Sequence, residues 1–261
     1  MKRTVIAIVG LLLLFPAFET KAQKLEDFFH GDTLVVNGDS LPYLMYNPIG
    51  QHDTSRLPLV IFLHGSGERG RDNHATLLHC IPFFMEEAVR SQYAFRMIVP
   101  QCGSDDRWVD TEWNLSSHRM PKEPSRPMKV LFYLIDSLLA TPNIDPDRIY
   151  AMGISMGGYG VWDMIQRRPD LCAAAVPICG GGDTTLAPTL TDISIWIFHG
   201  AEDPLVKPER STQMYQCIRK AGGTKVYYDL YPDLGHICWN RPFEQAGVIP
   251  WLFRQRRTAV R

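Results

Sequence analysis

Arg148-Ile-Tyr-Ala-Met-Gly-Ile-Ser-Met-Gly-Gly-Tyr-Gly160 is the stretch on which the fold turns. It begins as a short apolar strand, passes through Gly153-Ile154-Ser155-Met156-Gly157, and continues as a helix that opens at the glycines. The pattern is G-x-S-x-G between a strand and a helix, a tight turn that lifts the serine hydroxyl clear of the backbone. Glycines two residues before and two after the serine leave room for strand and helix to approach where a Cβ would clash. Ser155 is thereby expected at the tip of a strained bend, over the positive end of the helix that follows.

Working outward, the chain alternates apolar runs with helical patterns. Thr33 to Asn37 and Leu41 to Asn47 form two short strands joined at Asn37-Gly38-Asp39, a hairpin signal. Pro58 to Leu63 is a continuous apolar run, as expected of a parallel strand buried on both faces. A Gly-rich loop, His64 to Asn73, follows it, and then one predicted helix from Ala75 to Arg90. Arg96 to Pro100 is the next strand, and a long polar loop bearing Trp108 and Trp113 leads to a helix over Met128 to Ala140. Asp145-Pro146-Asp147 breaks the chain before the serine strand. A helix from Gly157 to Arg168 and strands at Ala173 to Ile178 and Ile193 to Phe198 come next. The rest comprises a helix Pro208 to Ala221, a strand Val226 to Tyr231, and one helix from Pro242 to Arg254. Strands alternating with helices at this spacing give a mostly parallel sheet covered on both faces, in one domain.

Loops at the carboxyl ends of parallel strands gather at one edge of the sheet, where ligands bind. Four of them carry Gly65-Ser66, Ser155-Met156, Asp203 and His236. A serine hydroxyl is a weak nucleophile until a base takes its proton, and imidazole does this near neutral pH. A carboxylate then fixes the tautomer of the imidazole and stabilises the imidazolium. His236 is the expected base because it stands in a Gly-His turn after the final strand. His64 and His199 each end a strand and precede a glycine, a place for holding a loop. Asp203 competes with Glu202, Asp229 and Asp233, and its loop after the preceding strand sets it beside the histidine turn. Backbone amides of Met156 and of the Gly65-Ser66 loop, Ser66 above all, are the expected oxyanion donors. Trp108, Trp113 and Trp239 lie on loops at the same edge and are candidates to line a substrate cleft.

These elements resemble a known group. Leu63-His64-Gly65-Ser66-Gly67-Glu68-Arg69-Gly70 with Asp72-Asn73, Gly153 to Gly158, His199-Gly200-Ala201-Glu202-Asp203 with Val206, and Gly235-His236-Ile237-Cys238-Trp239 look like the motifs of secreted bacterial α/β-hydrolase esterases. They are close to those of the polyhydroxybutyrate-depolymerase, feruloyl-esterase and predicted-peptidase group, and the order Ser155, Asp203, His236 is the order such enzymes use. The resemblance implies an α/β-hydrolase fold without a large cap domain, and serine carboxylester hydrolysis without a cofactor. Together with export it points to acetyl or feruloyl groups on plant polysaccharide, so the partner is a small-molecule or oligosaccharide ester. A serine peptidase of the prolyl-oligopeptidase type shares fold and triad, but usually carries a gating domain for which residues 23–261 leave no room. A non-catalytic carbohydrate-binding protein on the same fold is the other alternative, and the complete triad argues against it.

Composition narrows the field further. A net charge of −1 offers nothing to a nucleic acid, and the basic C-terminal residues Arg254, Arg256, Arg257 and Arg261 are those of a solvated end. Lys2 and Arg3 precede an apolar run, Val5 to Phe15, too short to span a bilayer, and Thr20-Lys21-Ala22 offers a small-x-small cleavage site. Residues 1–22 are therefore expected to be a signal peptide and 23–261 the catalytic domain, in a periplasmic or secreted protein with no membrane segment after cleavage. Cys80, Cys102, Cys172, Cys179, Cys217 and Cys238 form no C-x-x-C pair and no zinc spacing, so no metal site is expected. Disulfides persist in an exported protein, but a domain of this size does not need them, and several of the six are expected to be buried thiols.

Overall fold

Eight strands, hydrogen-bonded in the order β1-β2-β4-β3-β5-β6-β7-β8, form one sheet in the computed structural model, which describes residues 24–48 and 56–257. The predicted signal peptide lies outside the described residues. Strands β1 (Phe29–Val36) and β2 (Asp39–Tyr46) make an antiparallel hairpin, and β2 also runs antiparallel to β4 (Arg96–Pro100). Every other pairing is parallel, through β3 (Leu57–Leu63), β5 (Ile144–Ile154), β6 (Ala174–Ile178), β7 (Ser194–Gly200) and β8 (Val226–Tyr231). This is the α/β-hydrolase arrangement. At the hairpin, Asn37 (φ 52°) and Gly38 (φ 89°) both take positive φ, the turn geometry whose twist suits a two-residue connection.

The strand period of two sorts the core into two layers. Leu59, Ile61 and Leu63 face one layer with Leu131, Leu134, Trp162, Ile165, Met214 and Ile218. Those partners come from α3 (Arg126–Leu139), α4 (Met156–Arg167) and α5 (Glu209–Lys220). Val60 and Phe62 face the other layer, with Ile81, Phe84, Ile249 and Leu252. Helices α1 (Ile81–Met85) and α6 (Val248–Arg254) supply these. A sheet buried on both sides is rigid, so the loops at its carboxyl edge are held in register. Among the described residues no helix is long and apolar enough to cross a membrane.

Three expectations from sequence need correction. The helix predicted over Ala75 to Arg90 is a 3-10 turn (Ala75–Leu77), α1, and α2 (Glu87–Gln92). Pro82 has no N–H and its ring excludes the carbonyl four residues back, while Cys80 turns to φ 64° and Glu86 is extended. The helix predicted over Pro242 to Arg254 breaks at Gly247, which takes the left-handed conformation between a π turn (Pro242–Ala246) and α6. Pro250 would crowd the Ala246 carbonyl in a continuous helix, and glycine makes the reversal cheap. Asp145-Pro146-Asp147 lies within β5 rather than before it. Pairing moves from Leu57–Ile144 to Leu59–Ile149, so the surplus residues bulge from the ladder with Pro146 exposed, where a proline is tolerated.

Candidate functional site

The bend at residue 155 is the strained one. Ser155 has φ 52° and ψ −118°, a combination that costs a non-glycine residue about 1–3 kcal/mol and persists only where neighbours impose it. They do so closely. The Ser155 amide donates to the Ile178 carbonyl at 2.9 Å, tying the elbow to β6. A Cβ on Gly153 would lie 2.5 Å from the Gly157 carbonyl oxygen, and one on Gly157 would lie 1.9 Å from that of Leu63. Strand and helix meet here at a distance only glycine permits.

The hydroxyl that the elbow presents meets an imidazole. Ser155 Oγ lies 2.8 Å from His236 Nε2, and His236 Nδ1 lies 2.7 Å from Asp203 Oδ2. A carboxylate only accepts, so Nδ1 carries the proton toward Asp203 and Nε2 is left to accept from the serine. Asp203 is buried and heavily solvated by the protein. Its Oδ1 accepts from the Leu205 and Val206 amides at 2.8 and 2.9 Å, and its Oδ2 also accepts from His199 Nε2 at 3.2 Å. Burial alone would raise this carboxyl. The hydrogen bonds from His199, His236 and the Val206 amide outweigh it and hold Asp203 well below the usual carboxylate range. His199 itself is pinned by the Ser211 hydroxyl at 2.7 Å and the Val206 carbonyl at 2.9 Å. It therefore holds its loop, as its position at the end of β7 predicts, and in addition fixes the carboxylate.

Two sets of backbone amides flank the serine. Helix α4 begins at Met156, so the first amides of the helix have no carbonyl to meet within it. Across from it, Ser66 opens a 3-10 turn (Ser66–Glu68) at the end of β3. His64 fixes this peptide. Its Nδ1 donates to the Gly65 carbonyl at 2.6 Å, and its Nε2 accepts from the Cys102 amide at 2.9 Å. Burial pushes the His64 imidazole down to about 4, against the Gly65 hydrogen bond that raises it, so it stays neutral with that tautomer. In a trans peptide the N–H points opposite to the carbonyl, so holding the Gly65 oxygen on His64 turns the Ser66 N–H away from His64.

A cavity of about 740 Å³ opens beside these groups, lined by Gly65, Ser66, Ser155, His236 and, further out, Leu205 and Trp239. Of the three tryptophans expected to line a cleft, only Trp239 does so. Trp108 is fully buried, its indole N–H donating to the His64 carbonyl at 3.1 Å, so it packs beneath the loop instead of facing substrate. Trp113 lies apart from the cavity, packed against the core with the Arg107 guanidinium 4.9 Å over its ring. The reason is common to both: a loop at the correct edge of the sheet has two sides, and large aromatics favour the dry one. Glu68, His79, Glu202, Leu205 and Ile237 line the cavity without having been singled out as substrate contacts. Glu68, Glu202 and Ile237 carried a sequence signal, through their places in the motifs around His64, His199 and His236, whereas His79 and Leu205 carried none.

Cys179, Asp203 and His236 are the one cluster of potential metal ligands among the described residues. Its carboxylate and imidazole are already committed to each other, and Cys179 lies 3.0 Å from Cys238, sulfur to sulfur. All six cysteines are free thiols, and all but Cys217 are buried.

Known proteins share this architecture. The family described as Phospholipase/Carboxylesterase matches residues 46–247. The Escherichia coli (strain K12) esterase YpfH is 28% identical over 95 residues, 36% of this chain and 40% of that protein. A thermostable esterase of known structure superimposes with a TM-score of 0.80 at 34% identity, covering 89% of this chain and 64% of that one. A ferulic acid esterase superimposes with a TM-score of 0.64 at 19% identity, over 87% of this chain and 97% of that one, a likeness of fold. This chain thus spans less than two thirds of the first two.

Proposed function

The chain belongs to the phospholipase/carboxylesterase family, and we propose that it is an exported serine esterase which cleaves carboxylic esters through an acyl-enzyme on Ser155. One observation carries this reading: the unbroken hydrogen-bond sequence Ser155–His236–Asp203 at the floor of an open cavity. In the first half-reaction Ser155 Oγ attacks the ester carbonyl while His236 Nε2 takes its proton. The oxyanion that forms is met by the Met156 and Ser66 amides, and Asp203 stabilises the imidazolium without taking a proton from it. His236 then returns the proton to the departing alcohol. Water, deprotonated by the same imidazole, releases the acid and restores the serine.

Acetyl or feruloyl groups on plant polysaccharide are the proposed substrates. Support comes from the signal-like N-terminal sequence, from a cavity whose mouth is apolar at Leu205 and Ile237, and from the ferulic acid esterase sharing this fold. Rates on p-nitrophenyl acetate, methyl ferulate and an aminoacyl p-nitroanilide test the reaction class. Ester cleavage is expected to be faster by at least about tenfold in kcat/KM. Faster anilide cleavage would make the protein a peptidase, and no turnover of any of the three would favour a binding protein.

The role assigned to the Ser66 amide gives His64 a positioning task. Replacing His64 by Gln removes the clamp on the Gly65 carbonyl and frees the peptide to rotate. Loss of one oxyanion donor elsewhere costs about 10²–10³ in kcat, and a misaligned donor is expected to cost about 10–10² here, with KM changed less. Steady-state kinetics on p-nitrophenyl acetate, alongside a melting curve, checks this; a loss confined to KM would contradict it.

A further inference from the structure

Glu68 is a buried carboxylate that the proposed esterase chemistry does not use. It is 8% exposed, and its Oε2 has no hydrogen-bond partner among the described residues. Among the described residues its ion-pair partner is His79, whose Nε2 is 3.6 Å from Oε1. Its main chain is already fixed, since Gln101 Nε2 donates to the Glu68 carbonyl at 2.9 Å, so the carboxylate is not needed to hold the turn. Withdrawing a carboxylate from water without a good partner is costly, and an apolar side chain would fill the same space at less cost.

Its place makes the cost informative. Glu68 and His79 line the same cavity as Ser155 and His236. A Cβ built on Gly65 would sit 2.9 Å from Glu68 Oε2 and 3.6 Å from the Ser155 Cβ, so carboxylate and nucleophile flank one short piece of backbone. A negative charge beside an oxyanion site opposes the charge that develops there, unless a donor on the substrate engages it. The surroundings suit such a donor. Trp239 stands between His79 and the catalytic imidazole, with ring centroids 5.1 and 5.7 Å away, and forms a flat wall. Leu205 and Ile237, which line the same cavity, are apolar and 61% and 73% exposed.

We infer that Glu68, backed by His79, is a specificity-determining acceptor for a hydroxyl group carried by the substrate close to the scissile ester. The inference rests on the esterase reading and narrows it to hydroxyl-bearing esters, such as partly acylated sugars, over plain alkyl esters.

Matched ester pairs test it: 2-hydroxyethyl acetate against ethyl acetate, and methyl lactate against methyl propionate, with methyl alaninate as the ammonium counterpart. A hydrogen bond to a charged acceptor corresponds to a preference of about 10–150-fold in kcat/KM for the hydroxylated member of at least one pair. Glu68→Gln is expected to reduce that preference at least about fivefold, and Glu68→Leu to abolish it. His79→Phe, which leaves the carboxylate in place, is expected to weaken the preference without abolishing it. Equal rates within both pairs for the wild-type protein would overturn the inference, as would an unchanged preference in both Glu68 variants. A larger preference for the alaninate over the lactate would reassign the group to an ammonium and overturn the hydroxyl assignment. Hydrolysis of p-nitrophenyl acetate separates the two levels: if it proceeds and no pair discriminates, only the hydroxyl site fails; if no ester is cleaved, the esterase reading fails with it.

Discussion

Ser155→Ala is expected to lower kcat on p-nitrophenyl acetate by about 10⁴–10⁶ while the protein stays folded. The size follows from the geometry. His236 Nε2 can activate only a hydroxyl within its reach, and Ser155 Oγ at 2.8 Å is that hydroxyl. Without it no acyl-enzyme forms, and what remains is the stabilisation that the backbone amides give to direct attack by water, worth about 10³–10⁴ over the uncatalysed rate in a comparable case. Removing the side-chain oxygen relieves no buried packing, since Ser155 is only partly buried and its backbone is held through the Ile178 carbonyl. The melting temperature is therefore expected to move little. A variant that keeps more than about a hundredth of the wild-type kcat would mean that another group is the nucleophile.

Gly157→Ala is expected to have the largest effect on stability. The added methyl would lie 1.9 Å from the Leu63 carbonyl oxygen and 2.7 Å from that of His64. Both are backbone atoms at the end of a central strand, so no side chain can swing aside. The strand and α4 must separate, which breaks packing in the core layer that α4 shares with Leu59, Ile61 and Leu63. Ordinary overpacking costs about 1–3 kcal/mol, and a clash with fixed backbone is expected to exceed about 4 kcal/mol, a large share of the roughly 5–15 kcal/mol that holds a domain together. Chemical denaturation of soluble protein, or its failure to accumulate, is the readout. Gly67→Ala is the control: nothing lies within 4 Å of its added methyl, and a change within about 0.5 kcal/mol is expected. Equal effects of the two substitutions would show that the elbow is not as tight as described.

Much of this architecture is legible in the residues, for a physical reason. Parallel strands buried on both faces must be apolar throughout, so Leu57–Leu63 and Ala174–Ile178 stand out against the polar loops that bound them. The elbow is legible because it needs glycines at fixed offsets from the serine. What composition hides is which way a loop residue faces. Trp108 and Trp239 occupy comparable places at the carboxyl edge, yet one is sealed beneath the His64 loop and the other borders the cavity. Breaks inside apolar periodic segments are also hard to see. Pro82 and Gly247 interrupt helices whose spacing runs on past them, because burial against the sheet preserves the pattern while the backbone changes direction. Glu68 is harder still, since the absence of a hydrogen-bond partner is a property of three-dimensional surroundings.

The most direct test of the account is to mix the protein with p-nitrophenyl acetate, quench within the first turnovers, and locate any acyl group by peptide mass spectrometry. One acetyl group per molecule, carried by the peptide containing Ser155 and missing in Ser155→Ala and in His236→Ala, is the predicted result. An acetyl group on another residue, or steady ester hydrolysis with no covalent intermediate and no loss in the Ser155 variant, would contradict it.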